Sequence, residues 1–563
     1  MERNFVPKQL KITVWKDIEN LYVDLSERNI KSVADLELWL LNRSELEAVL
    51  EEDLAWRYIK MNCNTTDKEL ALNFEFFINN IEPEINKYSN QLDLKFINCK
   101  FINSLNQQKY FTVIRAIRKE IEIFRQENIP LIAKLQTKEQ EYGVINSKMT
   151  IVYNQEEMTL HKAALFLKNT DRNIRETVYR LSNDRRVKDV TALNILMTSL
   201  IKLRNNIALN AGFQNFRDYK LTSLGRFDYT KENCFEIHEA IKETVIPLID
   251  VLNLERKEKL KLEKLKPWDL EVDIEQKPPI KPFETAEELI DKTIKCFTRI
   301  KPQYGEFLKT MKTNGFLDLD SRKGKAPGGF NYPLYESNIP FIFMNAAGNL
   351  SDITTMVHEG GHAIHSFLSK DLELVNFKSL PSEVAELASM SMELISMNFW
   401  DIFFDNQDEL KRAKKAQLER VIKILPWIAT IDKFQHWIYE NPYHSVEDRI
   451  ENWTKISKEF SGKHIDWETC EWYFVNSWQK QLHIFEVPFY YIEYAIAQFG
   501  AISIWKNYKQ NPEKTLLQYE KALSLGYSLT IPEIYTIAGI KFDFSKKYIG
   551  ELIDFVKLEM EAI

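Results

Sequence analysis

The sequence predicts a mainly α-helical fold, and three observations support this. Long stretches of the 563 residues contain no glycine or proline, and these residues number only 16 and 18 in the whole chain. Within those stretches apolar residues recur every three or four positions, which is the spacing of one helix face. Hydrophobic residues make up 44% of the chain and aromatic residues 12%. A chain of this composition can bury a large core and is too apolar to be disordered.

The first helices are predicted in the N-terminal part of the chain. The stretch 44–59 is an example, because its Leu46, Val49 and Leu54 fall on one broad helical face. Pro83 would lie in the first turn of its helix, where proline is tolerated. The predicted helices of this part cover residues 44–59, 67–80, 83–103 and 106–128.

Two segments break the helical pattern. Residues 143–160 alternate around Ile151 and Tyr153 and contain a polar turn at 154–156, which predicts a β-hairpin. Further along, glycine and proline punctuate the chain from residue 324, and the run Phe341-Ile342-Phe343-Met344 then predicts a strand. This strand comes directly before the motif that carries the chemistry.

We expect two domains. The first is an N-terminal helical domain over residues 1–185, which includes the hairpin near 143–160, and the second covers residues 186–563. Residues 183–188 are one candidate connection. Residues 255–282 are another candidate, because they are rich in charge and hold four of the 18 prolines.

Composition excludes several classes of function. The net charge is −7, and the sequence has no basic tract, so we expect no nucleic-acid partner. The sequence contains no run of 18 apolar residues, so we expect no membrane span. It begins without an apolar stretch of the kind found in secretion signals, so we expect no such signal. The five scattered cysteines form no C-x-x-C pair, which argues against a disulfide framework or a cysteine-based zinc site and favours a reducing compartment. We therefore expect a cytoplasmic protein, and the sequence does not determine whether it is a monomer or a homo-oligomer.

The central motif lies in the stretch SDITTMVHEGGHAIHSF. It contains His358, Glu359 and His362 in an H-E-x-x-H pattern. Residues four apart lie one turn along the same helix face, so the two imidazoles can converge on one zinc ion. The glutamate between them can reach a metal-bound water. Asp352 is the predicted N-cap of this helix.

Two adjacent glycines, Gly360 and Gly361, interrupt the helical pattern inside this motif. Each glycine costs a helix about 1 kcal/mol relative to alanine. A helix that tolerates both is expected to be approached closely by a neighbour or a ligand at this point.

A catalytic zinc needs a third protein ligand and an open position. His365 lies three residues beyond His362 but about 10 Å along the axis from His358, too far for one ion to take all three. The alternative motif with a third histidine at position 368 fails, because that residue is Leu368. The third ligand is therefore expected to be a carboxylate from a second helix.

The predicted helix 381–400 offers three such carboxylates. Glu383, Glu386 and Glu393 are spaced so that they lie on roughly one face of an otherwise apolar helix. Buried acids need partners, and a metal with its histidines would supply them. The spacing does not choose between Glu383 and Glu386 as the ligand.

Several separated motifs resemble the oligoendopeptidase F branch of the thimet oligopeptidase-type zinc metallopeptidases. The resemblance covers nearly the whole chain, including the N-terminal SELEAVLEED region. The matching stretches are RNNIALNAGFQNFRDY with RFDYT, KAPGGF with PFIFMN, HEGGHAIHSF, PSEVAELASMSMEL and PFYYIEYAIAQFGAISIW.

The resemblance implies a large helical clam-like body with a deep substrate channel and a small β-sheet near a gluzincin-type active site. Residues 186–563 would form the catalytic domain. It implies one Zn²⁺ ion, held by His358, His362 and Glu386, since Glu386 occupies the family's A-E-x-A-S position. Glu383 and Glu393 fall where the family tends to have carboxylates, and they would orient the histidines.

The resemblance also implies the activity, which is hydrolysis of internal peptide bonds in short unfolded oligopeptides. Glu359 would act as general base on a zinc-bound water and pass the proton to the leaving amine. The family places a histidine and two tyrosines at the substrate carbonyl, which here match His483, Tyr491 and Tyr494, with Tyr490 beside them.

The predicted strand at 341–345 would hold the substrate by pairing with its main chain, which gives affinity with little sequence preference. Asn345 and Ala346 at its end, together with His365, are the further candidate substrate contacts.

Two other functions fit part of these observations. A zinc carboxypeptidase on a related helical scaffold would need a clamp for the terminal carboxylate, and no residue of the sequence is identified for that role. A catalytically inactive peptide-binding protein would not need Glu359 beside both histidines. The leading hypothesis is therefore the endopeptidase.

Overall fold

A computed structural model describes residues 3–563 as a mainly helical protein with two small sheets. Its residues form two compact units, each assembled from three segments of the chain. Unit 1 comprises the described residues up to Glu122, then Lys281–Lys414 and Ala497–Phe542. Unit 2 comprises Ile123–Ile280, Lys415–Ile496 and Asp543–Ile563. The predicted domain boundary at residue 185 divides the chain into two consecutive parts, whereas each unit combines separated segments. That boundary stays a prediction.

The helices follow one another along the chain with few long loops. Those of the first half are α1 (Glu19–Glu27), α2 (Val33–Cys63), α3 (Lys68–Phe76), α4 (Glu82–Ile97), α5 (Phe111–Ile123), α6 (Ile129–Ser147), α7 (Leu160–Ala164), α8 (Arg172–Val187), α9 (Val190–Asn210), α10 (Phe216–Ser223) and α11 (Lys231–Lys259). Those of the second half are α12 (Ala286–Ile300), α13 (Pro302–Thr313), α14 (Leu350–Ser369), α15 (Val375–Lys378), α16 (Ser382–Ser396), α17 (Gln407–Glu440), α18 (Val446–Phe460), α19 (Glu471–Val475), α20 (Leu482–Glu486), α21 (Ile492–Gln510), α22 (Pro512–Ser524), α23 (Ile531–Ile537) and α24 (Lys546–Glu561).

The predicted mainly helical class is confirmed, and the ends of the helices differ from the predicted ends. The range 44–59 lies inside the longer α2, and 67–80 corresponds to α3 followed by a π-helical turn at Phe77–Ile81. α4 ends before residue 103 and α5 starts after residue 106, because a loop that contains a short 3₁₀ turn separates them. Apolar periodicity continues through such turns, so it does not mark helix ends.

The predicted hairpin is present but shorter than expected. β1 (Thr150–Tyr153) pairs antiparallel with β2 (Glu156–Thr159). The two residues between them, Asn154 and Gln155, have φ values of +52° and +66°. These values suit a two-residue turn whose twist matches that of the strands. Residues 143–147 belong to the end of α6 instead.

The second sheet lies in unit 1, just before the motif helix. It contains β3 (Leu317–Asp320), β4 (Phe330–Tyr332) and β5 (Phe341–Ala346) in the order β3-β5-β4. β5 pairs parallel with β3 and antiparallel with β4. The strand predicted at Phe341–Met344 is confirmed. The expectation that it offers an edge to a peptide is wrong for Ile342 and Phe343, because both of these residues pair with β3 on one side and with β4 on the other.

The two predicted connections differ in outcome: 183–188 falls inside unit 2, whereas 255–282 contains the point between Ile280 and Lys281 where the chain passes from unit 2 to unit 1. Residues 183–187 form the last turns of α8. Within 255–282, Trp268 and Asp269 are buried, and Arg175 of α8 donates to Asp269 at 2.8 Å. Charge and proline therefore mark a segment whose first part is packed against α8 and whose end connects the two units.

The motif helix α14 begins two residues earlier than its predicted cap. Asn349 is the N-cap, and its side chain accepts a hydrogen bond from the backbone of Ser351 at 2.9 Å. The carboxylate of Asp352 accepts from the backbone of Asn349 at 3.0 Å and of Ala347 at 2.8 Å. Asp352 is thus the third helical residue of a capping box, where its carboxylate satisfies the backbone N–H of the cap residue.

The two glycines of the motif allow α14 to touch its neighbours closely. A Cβ atom at Gly361 would lie 2.6 Å from Ser389 Cα and 2.9 Å from the Ala388 carbonyl oxygen, both in the backbone of α16. A Cβ atom at Gly360 would lie 2.8 Å from the Phe297 ring. The expected close approach is therefore made by another helix.

No helix among the described residues has the length and apolar composition needed to cross a membrane.

Substitution of Gly361 tests this close approach. We expect Gly361→Ala to lower the thermal unfolding midpoint by the equivalent of about 1 to 3 kcal/mol, the usual cost of overpacking, because backbone cannot move aside as a side chain can. Differential scanning calorimetry measures the effect, and metal analysis should show reduced occupancy. The control is Gly143→Ala in α6, where a Cβ atom meets nothing within 4 Å. It should leave the midpoint unchanged or raise it, and equal behaviour of the two variants would contradict the close approach.

Candidate metal centre

The two motif histidines lie on the face of α14 that meets α16. The ring centroids of His358 and His362 are 4.9 Å apart, with the rings nearly perpendicular. About a fifth of each side chain is exposed, 20% for His358 and 19% for His362. The four-residue spacing therefore brings both imidazoles to one accessible point, as the sequence predicts.

The carboxylate that α16 brings to this point is that of Glu386. Its Oε2 atom lies 3.4 Å from His358 Nε2 and 3.9 Å from His362 Nε2. The three ligand atoms lie within 4.8 Å of one another. Zinc with four ligands at about 2.0 to 2.1 Å separates neighbouring ligand atoms by about 3.4 Å. Two imidazoles and one carboxylate at these distances fit a divalent metal, with room for a fourth ligand from solvent.

Each of these three side chains is oriented by a further group. Glu393 Oε1 lies 2.6 Å from His358 Nδ1, so the other nitrogen, Nε2, faces Glu386. His362 makes a hydrogen bond to the backbone of Ala385. The hydroxyl of Ser389, fully buried, donates to Glu386 Oε2 at 3.2 Å. Partners of this kind fix the rotamer and tautomer of a metal ligand.

The electrostatics of the cluster favour positive charge. Burial alone would lower the pKa of His358, but the hydrogen bond to Glu393 and the charge of Glu386 raise it to about 9. Burial, with the charge of His358, holds the pKa of His362 well below its ordinary value. A divalent cation between the histidines would compensate the same carboxylates that raise the pKa of His358.

Glu359 stands apart from the three ligand atoms, although it lies between the histidines in sequence. Its side chain is 7% exposed, and burial raises its pKa to about 7, with the charge of His358 opposing this shift. The side-chain amide of Asn331 in β4 donates to the backbone carbonyl of Glu359 at 3.3 Å, which ties the motif helix to the sheet. A carboxyl group with a pKa near neutrality can take up and release a proton.

Two further predicted site residues are buried. Glu383 lies at the start of α16, and its proposed role in orienting the histidines stays a prediction. His365 is 1% exposed, and burial lowers its pKa to about 3. Contact between His365 and a substrate would require the packing to open, so we assign this histidine to the core.

The residues at the end of β5 shape the sheet. The side-chain amide of Asn345 donates to the carbonyl oxygens of Ala326 and Gly328, both at 2.9 Å. Ala346 pairs with Asp320 of β3. The role of Asn345 and Ala346 in substrate binding stays a prediction.

The predicted histidine and tyrosines form a second cluster, in unit 2. The ring of His483 lies 4.7 Å from that of Tyr491 and 6.3 Å from that of Tyr494. The rings of Tyr490 and Tyr494 lie 5.4 Å apart. All four side chains are partly exposed, whereas the neighbouring Phe489 is fully buried. The four residues grouped from the sequence therefore lie together, and their role remains a prediction.

A relay of hydrogen bonds fixes the tautomer of His483. The indole N–H of Trp427 donates to Gln481 Oε1 at 2.8 Å. Because an indole can only donate, the NH₂ group of Gln481 must face His483 Nδ1, which lies 2.6 Å away and accepts. Burial lowers the pKa of His483 to about 4. The neutral imidazole therefore carries its proton on Nε2 and can donate from there.

Sequence reasoning missed three groups that position the site. Ser389 belongs to the A-E-x-A-S stretch and could have been recognised there, since a serine three residues after a glutamate can reach its carboxylate. The carbonyl of Ala385 and the amide of Asn331 left no such signal. Every residue has a backbone carbonyl, so no residue type marks the one at Ala385. Asn331 lies 28 residues from Glu359, whose carbonyl it contacts.

A mainly helical protein with H-E-x-x-H on one helix and an opposed glutamate on another has the architecture of a metallopeptidase. Comparison with known proteins agrees. The sequence model of Peptidase family M3 matches residues 165–552, and that of the Peptidase M3 N-terminal domain matches residues 5–124. The chain therefore belongs to peptidase family M3, and the resemblance to oligoendopeptidase F is confirmed.

Relatives and solved structures extend this result. An oligoendopeptidase F homolog of Borreliella burgdorferi is 24% identical over 475 residues, which cover 81% of this chain and 78% of the relative. The structure of PZ peptidase A with an inhibitor superposes with a TM-score of 0.91 at 22% identity, covering 100% of this chain and 99% of the other. An oligoendopeptidase F structure from Bacillus anthracis gives 0.87 at 22% identity, with 99% and 98% covered. At these identities the structures share the fold.

The choice of Glu386 over Glu383 as a ligand can be tested directly. We expect Glu386→Ala to lose most of its bound metal, since one of the three convergent atoms disappears, and peptide cleavage should be abolished. Glu383→Ala is the matched control, three residues earlier on the same helix. It should keep its metal and unfold at a lower temperature, because a buried side chain is lost. Mass spectrometric metal analysis decides, and metal loss in Glu383→Ala alone would reverse the assignment.

Proposed function

We propose that the protein is a zinc-dependent endopeptidase that hydrolyses internal bonds of short unfolded peptides. The observation that carries this proposal is the convergence of His358, His362 and Glu386 beside the buried carboxyl group of Glu359. The names of relatives, among them the oligopeptidase PepF of Bacillus subtilis, support oligopeptides as the substrate class. We propose the cytoplasm as its location, consistent with five cysteines that form no disulfide.

His358, His362 and Glu386 would hold the metal. When bound, a divalent metal lowers the pKa of a coordinated water and polarises the carbonyl group that is attacked. Zinc is our choice because two imidazoles and a carboxylate, with one open position, are typical of catalytic zinc. Glu393 and Ser389 would keep the ligand atoms facing this position, which spares the enzyme the cost of reorganising them during the reaction.

Glu359 would move the proton. Its carboxylate takes a proton from the attacking water and then gives it to the nitrogen of the leaving amine. Both steps need a group whose pKa lies near the working pH, and burial has already raised the pKa of Glu359 to about 7. Because Glu359 is not one of the three convergent ligand atoms, its proton transfer does not disturb the ligands.

His483 and Tyr494 would donate hydrogen bonds to the carbonyl oxygen as it becomes negative, with Tyr491 and Tyr490 contacting the substrate. This assignment rests on the family resemblance. It is supported by the tautomer of His483, which leaves a proton on Nε2. It is also supported by the buried ion pair at 2.7 Å between Arg226 and Glu493, the residue before Tyr494. A donor held rigidly by its surroundings stabilises developing charge most effectively.

The substrate would pair with β4, not with β5 as expected from the sequence. Among the described strands, β4 pairs only with β5, so its other edge is available. Asn331 in this strand contacts the backbone of Glu359, which brings the edge next to the proposed base. Main-chain pairing along an edge binds peptides with little regard to sequence.

Cleavage of a blocked peptide tests the proposed function. A peptide protected at both ends and carrying an internal fluorophore and quencher should be cut, and mass spectrometry should locate the cut inside it. A carboxypeptidase, the alternative from the sequence, would leave this peptide intact and shorten only an unblocked one. Removal of the metal by a chelator should abolish cleavage, and added zinc should restore it.

The role of Glu359 separates binding from chemistry. Glu359→Gln has the same shape but cannot take a proton, so the variant should keep its metal and still bind peptide. We expect turnover to fall by about 10²- to 10⁴-fold, the usual contribution of a general base. Stopped-flow or steady-state kinetics with the quenched peptide measure the turnover, and metal analysis measures the bound metal. Activity within about tenfold of the wild type would exclude Glu359 as the base.

The role of Tyr494 is tested by removing one oxygen atom. Tyr494→Phe should lower kcat and kcat/KM together by about 10²- to 10³-fold, because the lost hydrogen bond acts in the transition state. Metal content should not change. Tyr443→Phe is the control, since Tyr443 is 88% exposed and outside the aromatic cluster. An increase in KM alone would make Tyr494 a ground-state contact, and a loss of stability with metal would make it a packing residue.

A further inference from the structure

Four buried polar side chains meet between α11 and α17 in unit 2. Each helix contributes two residues spaced four apart, Cys234 and His238 from α11 and Asp432 and His436 from α17. All four are buried, with exposed fractions between 0% and 2%. Like the motif histidines, residues four apart on one helix present their side chains to the same neighbour. The proposed catalytic centre, in unit 1, uses none of these four residues.

The side chains of this group approach one another closely. The ligand atoms of Cys234, Asp432 and His436 lie within 4.8 Å of one another. Asp432 Oδ2 lies 2.9 Å from His238 Nε2 and 3.2 Å from His436 Nε2. In the part of the chain that the structure describes, four of these buried atoms make no hydrogen bond of ordinary geometry. They are Nδ1 and Nε2 of His436, Oδ1 of Asp432 and Nδ1 of His238. Buried polar atoms without partners are rare and call for an explanation.

We propose that this group is a second zinc site, with Cys234 Sγ, a carboxylate oxygen of Asp432 and a ring nitrogen of His436 as ligands. His238 either completes the tetrahedron or holds the carboxylate of Asp432 in place. A structural zinc site is closed, with four ligands drawn from Cys, His and Asp. The burial of all four side chains suits this type and not a catalytic site with an open position.

Charge favours a divalent cation here. A thiolate from Cys234 and the carboxylate of Asp432 carry two negative charges, and two neutral imidazoles add none. One Zn²⁺ ion makes the buried group neutral, which avoids the large cost of an uncompensated charge away from water. The sulfur ligand selects zinc over magnesium or calcium, which prefer oxygen.

The surroundings give the site a structural role. The rings of Phe235 and Phe489 lie 4.8 Å and 5.2 Å from that of His436 and would exclude water. The backbone N–H of Phe489 donates to Oε1 of Gln435 at 2.8 Å, and Gln435 is the residue directly before His436. Phe489 directly precedes the aromatic cluster Tyr490–Tyr494. A metal that fixes α11 against α17 would therefore brace the segment that carries these tyrosines.

Metal counting on the full chain tests the proposal. Glu386→Ala removes a ligand from the catalytic centre, so this protein should retain about one zinc per chain after dialysis against EDTA. Replacement of that metal by cobalt should give a thiolate-to-cobalt charge-transfer band in the near ultraviolet. The proposed catalytic ligands include no sulfur, so of the two sites only the one with Cys234 can give this band, independently of whether the enzyme is a peptidase.

The matched control is a second buried cysteine. In the Glu386→Ala background, Cys234→Ser should abolish the cobalt band and bind at least tenfold less zinc, whereas Cys296→Ser, equally buried in unit 1, should change neither. If Cys234→Ser does not fold, the cobalt spectrum of the Glu386→Ala protein still decides. Absence of both retained zinc and a charge-transfer band would show a metal-free hydrogen-bonded group and overturn the proposal.

Discussion

The candidate metal centre depends on one backbone contact, between Gly361 of α14 and Ser389 of α16. No side chain separates the two helices there, so their backbones approach more closely than any residue with a Cβ atom would permit. The contact lies one residue before His362 and three residues after Glu386. It therefore sets the depth at which the carboxylate meets the imidazoles, and the separations of 3.4 Å and 3.9 Å follow from it. The helical cost of the glycine is offset by the packing that it allows.

Once the two helices are in contact, further groups orient each of the three ligand side chains. His358 commits Nδ1 to Glu393, His362 makes its hydrogen bond to the backbone of Ala385, and Glu386 receives the hydroxyl of Ser389. The same construction recurs in unit 2, where Gln481 commits Nδ1 of His483. A histidine whose second nitrogen is already bonded has a defined tautomer and direction, which is what metal binding or hydrogen-bond donation requires.

The sequence predicts the parts of this arrangement that depend on local spacing. The four-residue interval of His358 and His362, the helical class and the strand before the motif all follow from periodicity or motif. The choice of Glu386 needed the family resemblance, since Glu383 satisfies the same spacing. The central position of β5 could not be predicted, because its partners β3 and β4 are short and separated from it by loops. The burial of Asp269 likewise depends on arginines of α8, nearly 100 residues away.

Long-range pairing also explains why the sequence indicated one metal site only. The cysteines form no C-x-x-C pair, which is the pattern that local reading recognises, and Cys234 and Asp432 are separated by almost 200 residues. Both groups nevertheless follow one rule, in which two side chains four residues apart on one helix face a carboxylate on another. The difference lies in exposure. The histidines of the catalytic candidate retain about a fifth of their surface, so a substrate can reach them, whereas the second group is sealed. Exposure, more than ligand type, therefore separates a centre suited to reaction from one suited to holding helices together.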